Sequence, residues 1–447
     1  MPSFARLPAL PVLVALGALV SPTAFAADAG DWRPLFNGRD LSGWANVNAA
    51  PDTFTVRDGR IASTGVPIGL LRTDRQYENF EIELEWRHLR PGGNAGLFVW
   101  SWPVTAPGTP FARAIEVQIL DGRNTDNYTS HGDVFAIHGA SFKPDRPHPG
   151  GWMRCLPSEQ RVKPAPEWNH YRVHCSNGVV QLAVNGKVVS GGSAANPRKG
   201  YICLESEGSP AEFRNVRLRE FPSSGVPPAE TAPVAGKFRP LYTGVDFAGW
   251  RFGPAQAARW RTNDWRLESA GPATNNARAP LWTEQEFGDF RLIADWRLAG
   301  KPEPKRHPVV LASGQEARND DGTPKLIEVP DAGAGAILLR GSPRAAVHLG
   351  CRPVGSGEVP AYREDPQQPE SVRAGVTPRL KADAPIGQWN RVVITLRGDR
   401  VTVVLNDKTV LENASLPGLS RRGPIGLQHT GAPIQFASVL VEELDPE

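Results

Sequence analysis

Period-two alternation of apolar and polar residues dominates this chain. Phe80-Glu81-Ile82-Glu83-Leu84-Glu85-Trp86 sets apolar side chains against acidic ones and predicts a half-exposed β-strand. Val179–Val184 and Lys187–Val189 are separated by Asn185-Gly186, a favoured two-residue hairpin turn. Val401–Leu405, Asn406-Asp407 and Lys408–Leu411 repeat that hairpin, and Arg391–Leu396 predicts another strand. Gly 45 and Pro 43 are both high, which favours many turns and few long helices. Short strands at even spacing predict an all-β sandwich or jelly roll.

The pattern occurs twice. Arg33-Pro34-Leu35-Phe36-Asn37-Gly38-Arg39-Asp40-Leu41-Ser42-Gly43-Trp44 recurs as Arg239-Pro240-Leu241-Tyr242-Thr243-Gly244-Val245-Asp246-Phe247-Ala248-Gly249-Trp250. Further matches follow in order: Trp86-Arg87 with Trp296-Arg297, Trp168-Asn169 with Trp389-Asn390, and Phe213 with Phe436. Two tandem domains result, 31–221 and 237–445. The Pro-rich stretch 222–236 between them reads as an extended, semi-rigid linker.

The first residues predict export. Arg6, the apolar stretch Leu7–Val20 and the small-x-small site Ala24-Phe25-Ala26 form a signal peptide over 1–26, placing the mature protein in the periplasm or outside the cell. No run is long enough to predict a membrane span. The net charge of +3 and the lack of a Lys/Arg block argue against nucleic acid as a partner. Trp 13 suits packed cores and sugar-stacking platforms alike. Cys155, Cys175, Cys203 and Cys351 show no C-x-x-C spacing; Cys175 and Cys203 are candidates to pair or to stay as buried thiols.

The opening motif Leu35–Trp44, with Asn94-Ala95-Gly96-Leu97-Phe98-Val99, Glu116-Val117-Gln118-Ile119-Leu120-Asp121 and Glu167-Trp168-Asn169, resembles the 3-keto-disaccharide hydrolase family over nearly all of each copy. The resemblance implies two tandem concanavalin A-like jelly rolls after the signal peptide. It also implies action on glycosides already oxidised to a ketone at C3, as a 3-keto-glucoside 1,2-lyase or a hydratase of 2-hydroxy-3-keto-glucal. Such chemistry needs a base near C2, donors or a cation near the 3-oxygen, and an acid near the leaving oxygen.

In the first copy Glu116 and Gln118 share one strand face, with Glu116 a catalytic candidate and Gln118 a substrate-binding one. His131 and His138 are further catalytic candidates. With Asp133 they suit either a divalent cation that polarises the ketone or a base with its orienting partner. Glu205 and Glu207 share a face as substrate ligands or acids, while Arg72, Trp100 and Trp102 are candidates to hold the sugar. Each of these residues also fits a structural or surface role. The second copy departs from the pattern: Ala346 stands in the place of Glu116 and Arg340 in that of Trp100. Arg340, His348, Glu358 and Arg363 are its candidates for a different polar site. Two alternatives remain, a non-catalytic carbohydrate-binding protein and a two-carboxylate glycosidase. The latter has no obvious pair, because Asp121 points away from Glu116 on a regular strand.

Overall fold

The computed structural model describes residues 30–122, 128–269, 279–430 and 432–445. The expected signal peptide lies outside them. Among the described residues no helix is long and apolar enough to cross a membrane.

The first domain is two antiparallel sheets enclosing one core. The nine-stranded sheet runs Ser141–Pro144, Lys187–Asn196, Val179–Val184, Asn169–Ser176, Phe80–His88, Ala211–Glu220, Arg60–Ser63 and Phe54–Arg57, with Arg33–Pro34 beside Ala211–Glu220. The seven-stranded sheet runs Arg154–Cys155, Val134–Ile137, Ala114–Leu120, Asn94–Ser101, Tyr201–Ser206, Gly69–Thr73 and Trp44–Val47. Ile82, Leu84 and Val173 from the first sheet meet Leu97, Val117 and Leu204 from the second. Each such side chain contributes roughly 1.5–3 kcal/mol by leaving water. Both predicted hairpins form. Asn185 and Gly186 take positive φ (46° and 90°), as do Asn406 and Asp407 (48° and 63°), the conformation a type I′ turn requires.

The strand Phe80–His88 is more buried than its alternation predicts. Arginines from neighbouring strands cover its acidic face: Arg172 Nε lies 2.5 Å from Glu81 Oε1, Arg219 Nε 2.8 Å from Glu81 Oε2, and Arg217 Nη2 2.5 Å from Glu83 Oε2. Period two located the faces, but the long arginine stems replace water on the polar one. All four cysteines are free. Cys175 belongs to the core, whereas Cys203 lies in the cluster on the far side of the seven-stranded sheet, so the sheet separates the two.

The second domain repeats the plan with an eight-stranded and a five-stranded sheet. It adds a two-stranded ribbon, Glu303–Pro308 with Leu326–Asp331, where the first domain has only the short turn 89–93. The linker is extended but strapped to the first domain. Ser223 Oγ donates to Glu78, Ala232 N to the Lys199 carbonyl, and Ala235 N to the Tyr201 hydroxyl. The loop joining Asn94–Ser101 to Ala114–Leu120 docks on the second domain. Gly108 N donates to Asp295 Oδ2 (3.0 Å), Arg391 Nη2 donates to the Thr105 carbonyl (2.7 Å), and Trp265 Nε1 donates to the Gly108 carbonyl (3.2 Å).

Candidate active site

Strand parity decides which side chains leave the first core. Ile115, Val117 and Ile119 point inward, so Glu116 and Gln118 point outward. By the same rule Asn94, Gly96 and Phe98 face outward from the next strand, and Cys203 and Glu205 from the one after, followed by Glu207. Pairing sets Phe98 against Glu116, Gly96 against Gln118 and Leu97 against Leu204. Glu116 and Glu205 therefore flank Gly96.

Gly96 is the gap into which both carboxylates reach. A Cβ at that position would stand 2.8 Å from Glu205 Oε2 and 2.9 Å from Glu116 Oε1. Only glycine lets the backbone lie this close to the two groups. Around the gap, Gln118 Nε2 donates to Asn94 Oδ1 at 2.9 Å, and Asn94 Nδ2 donates to Glu207. Glu207 lies beside Glu205 and, after burial and the charge of Glu116, helps to raise its carboxyl pKa. Glu205 Oε2 has no hydrogen-bond partner.

Burial pushes the carboxyls of Glu116 and Glu205 well above the usual range. The charge of Glu207 adds to the effect at Glu116, and those of Glu116 and Glu207 add to it at Glu205. Arg154 opposes it at Glu116. Its guanidinium lies 3.7 Å over the Phe135 ring, and its Nη1 is 2.5 Å from Asp133 Oδ2. Asp133 Oδ1 in turn accepts from Thr129 Oγ1 at 2.7 Å.

The rest of this outward face is apolar. Val47, Leu70, Phe98, Ala114, Tyr201 and Cys203 form a small cluster, with Phe111, Ile137 and Ala235 packed against it. An acidic, hydrogen-bonding patch thus adjoins an apolar one, a pairing that suits the polar edge and apolar face of a sugar ring.

The structure gathers Glu116, Gln118, Glu205 and Glu207 from the sequence candidates and scatters others. His138 is exposed and stacks on Phe111, 6.0 Å between centroids. His131 has both ring nitrogens buried without partners, and burial depresses its pKa, so the ring is neutral. Among the described residues no hydrogen bond or ion pair joins either histidine to Glu116; His138, stacked on Phe111, borders the apolar patch beside the carboxylates. Arg72 is structural: its Nη1 donates to the Pro103 carbonyl at 2.8 Å and its guanidinium stacks on Tyr201. Trp100 is a core residue with no exposed surface; its Nε1 donates to the Glu78 carbonyl at 2.8 Å. Arg340 is its buried counterpart and donates to the carbonyls of Gly288, Gly398 and Ser420. Both adopt left-handed backbone, φ 52° and 45°, which turns their side chains toward the core side instead of outward. The donor set does not suit a divalent cation. Asp133 is engaged by Arg154 and Thr129, and among the described residues no group of three or more His, Cys, Asp or Glu is placed to hold one.

Asn94, Gly96 and Arg154 were not sequence candidates. Asn94 and Gly96 lie in a motif that marks the family, so a signal existed for them. Arg154 reaches the site only through its cross-strand pairing with Phe135.

Sandwich, acidic patch and adjoining apolar surface together define a carbohydrate-active jelly roll. Residues 31–219 and 237–442 each match the 3-keto-alpha-glucoside-1,2-lyase-like domain, and the chain belongs to that family. No curated protein matches the chain. A solved structure of a proposed glycosyl hydrolase from Parabacteroides distasonis is 23% identical, covering 43% of this chain and 94% of its own, with a TM-score of 0.32. The carbohydrate-binding module CBM66 from Bacillus subtilis is 11% identical over 40% of this chain and 96% of its own, with a TM-score of 0.29. A kappa-carrageenase from Pseudoalteromonas carrageenovora is 12% identical over 45% of this chain and 99% of its own, with a TM-score of 0.30.

Proposed function

We propose that the first domain of this exported protein acts on 3-keto-glycosides by removing the C2 proton and eliminating the C1 substituent. The observation that carries this reading is the pair of buried carboxyls, Glu116 and Glu205, that meet at Gly96; burial beside other carboxylates favours the protonated form of Glu205. The ketone acidifies C2–H. Glu116, the member beside Arg154, takes that proton, and the C–H electrons pass into an enolate on the 3-oxygen. When the carbonyl re-forms, a C1–C2 double bond forms, the C1–O bond breaks, and Glu205 delivers its proton to the departing oxygen. Addition of water to the double bond runs the same groups in reverse. Raised carboxyl pKa values suit both roles near neutral pH. No step is routed through a metal.

The test is incubation of the purified protein with 3-keto-trehalose in deuterated water. Loss of the leaving sugar with formation of 2-hydroxy-3-keto-glucal is the expected result. Glu116→Gln and Glu205→Gln should each lower kcat by about 10²–10⁴ while remaining folded. Unchanged turnover in Glu116→Gln removes that residue from the mechanism. The nearness of Glu116 and Glu205 favours a second reading, a two-carboxylate glycosidase. Equal turnover of unoxidised trehalose would select it.

A further inference from the structure

The second domain places a cleft of about 630 Å³ on the face where the first domain carries its carboxylates. Register equates Ala346 with Glu116, His348 with Gln118 and Gln428 with Glu205, because Ile337 pairs with Val347 and Leu427 as Leu97 pairs with Val117 and Leu204. The acid–base pair is gone, and other groups line the space. The extra ribbon contributes Lys305, His307 and Asp331. His307 Nε2 lies 2.8 Å from Asp331 Oδ2, whose other oxygen accepts from Gly333 N at 2.6 Å. Arg352 Nη1 reaches fully buried Glu358 at 2.6 Å, and Arg363 holds the other oxygen of that carboxylate. His348 lies between these walls. Its Nδ1 is buried without a partner, and burial with the nearby Arg352 charge lowers its pKa to about 3. The ring is therefore neutral, with one N–H and one lone pair to offer.

The lining carries Lys305, Arg352 and Arg363 against Asp331 and Glu364, and the fully buried Glu358 behind Arg352 and Arg363 offsets the third cation. Neither an anion nor a cation is favoured, and the lining has no Trp, Tyr or Phe to hold a flat apolar ligand. What remains is a dense set of fixed donors and acceptors in a space of ordinary ligand-pocket size. Hydroxyl groups, which both donate and accept, match that set.

We propose that this cleft is a second, non-catalytic sugar site that takes a neutral pyranose by hydrogen bonds to His348, the His307–Asp331 pair and Arg352. It is independent of the chemistry proposed for the first domain. Isothermal titration of the whole protein with glucose, trehalose and sucrose, and with glucuronate and glucosamine as charged comparators, tests it. At least one neutral probe should bind, and its Kd should weaken tenfold or more in His348→Ala. Ala346→Phe fills the cleft without removing a hydrogen bond and should have the same effect at an unchanged melting temperature. Binding in Glu116→Gln should match that of the unaltered protein. The proposal is overturned if no neutral probe binds at tens of millimolar, if a charged comparator binds more tightly, or if Ala346→Phe binds as well as the unaltered protein. It is also overturned if affinity follows Glu116→Gln, because the sugar then sits in the first domain.

Discussion

The outward faces of the two domains share a strand register and almost no chemistry. Glu116, Glu205 and Glu207 in the first domain stand where Ala346, Gln428 and Thr430 stand in the second, and Asn94 becomes Ala334. The backbone records the same exchange. Gly96, required where two carboxylates crowd one point, becomes Ala336 once those carboxylates are gone. The outer faces diverge as well. Glu85 of the first domain is partly exposed and paired with Arg214, whereas its counterpart Asp295 is fully buried beneath the loop from the first domain. One scaffold thus serves twice, with different polar residues at equivalent positions.

Three substitutions bear on that contrast. The largest effect is expected from Asp295→Ala. Asp295 accepts from Arg391 Nε (2.7 Å), Arg391 Nη2 (2.8 Å) and Gly108 N, so its loss strands a buried guanidinium and a backbone donor. Breaking such a buried pair costs about 3–5 kcal/mol. The matching Glu85→Ala removes a partly exposed pair and should cost about 0–1 kcal/mol. Calorimetric unfolding of both variants decides the matter, and equal losses would mean that the second domain does not clamp the loop. Next comes Gly96→Ala. Its new Cβ must displace the Glu116 and Glu205 carboxylates, an overpacking penalty of about 1–3 kcal/mol. The proposed turnover should fall in kcat more than in KM. If activity survives while stability drops, the pair is structural and not catalytic.

The sequence made the scaffold legible because turn chemistry and period two are local. Asn185-Gly186 specified its hairpin without reference to the rest of the chain, and the duplication confirmed the reading at Asn406-Asp407. The correspondence of Arg340 with Trp100 and of Ala346 with Glu116 also held in the register. The site was half legible. Parity put Glu116 with Gln118 and Glu205 with Glu207 correctly, but parity within a strand says nothing about which strands are neighbours. That Glu116 and Glu205 meet over Gly96 follows from a sheet order in which Tyr201–Ser206 lies beside Asn94–Ser101, about a hundred residues away in sequence. Trp100 failed as a sugar platform for a related reason: a positive φ rotates it into the core, and an aromatic residue gives no sign of that in sequence. Residue type alone gives the histidines no position relative to Glu116.

The smallest effect is the most diagnostic of protonation. Glu205 is buried with its pKa raised, so the folded protein holds a proton that the unfolded chain releases. Between the ordinary carboxylate pKa and the raised one, the native state binds more protons than the unfolded state. Stability must therefore fall as pH rises through that window and be greatest below it. Glu205→Gln keeps the shape and removes the titration. It should be more stable than the unaltered protein near pH 7, by about 0.5–2 kcal/mol, the usual gain when a strained functional group is relaxed. Near pH 3, below the ordinary carboxylate pKa, the carboxyl is protonated in both states and the two should melt together. Gln428, the natural amide at the equivalent place in the second domain, already has this form, so Gln428→Glu should introduce the pH dependence that Glu205→Gln removes. Melting curves across pH read both changes. A Glu205→Gln variant that is less stable at neutral pH with an undiminished pH slope would show that Glu205 is ionised in the native state, and its proposed role as the acid would have to be given up.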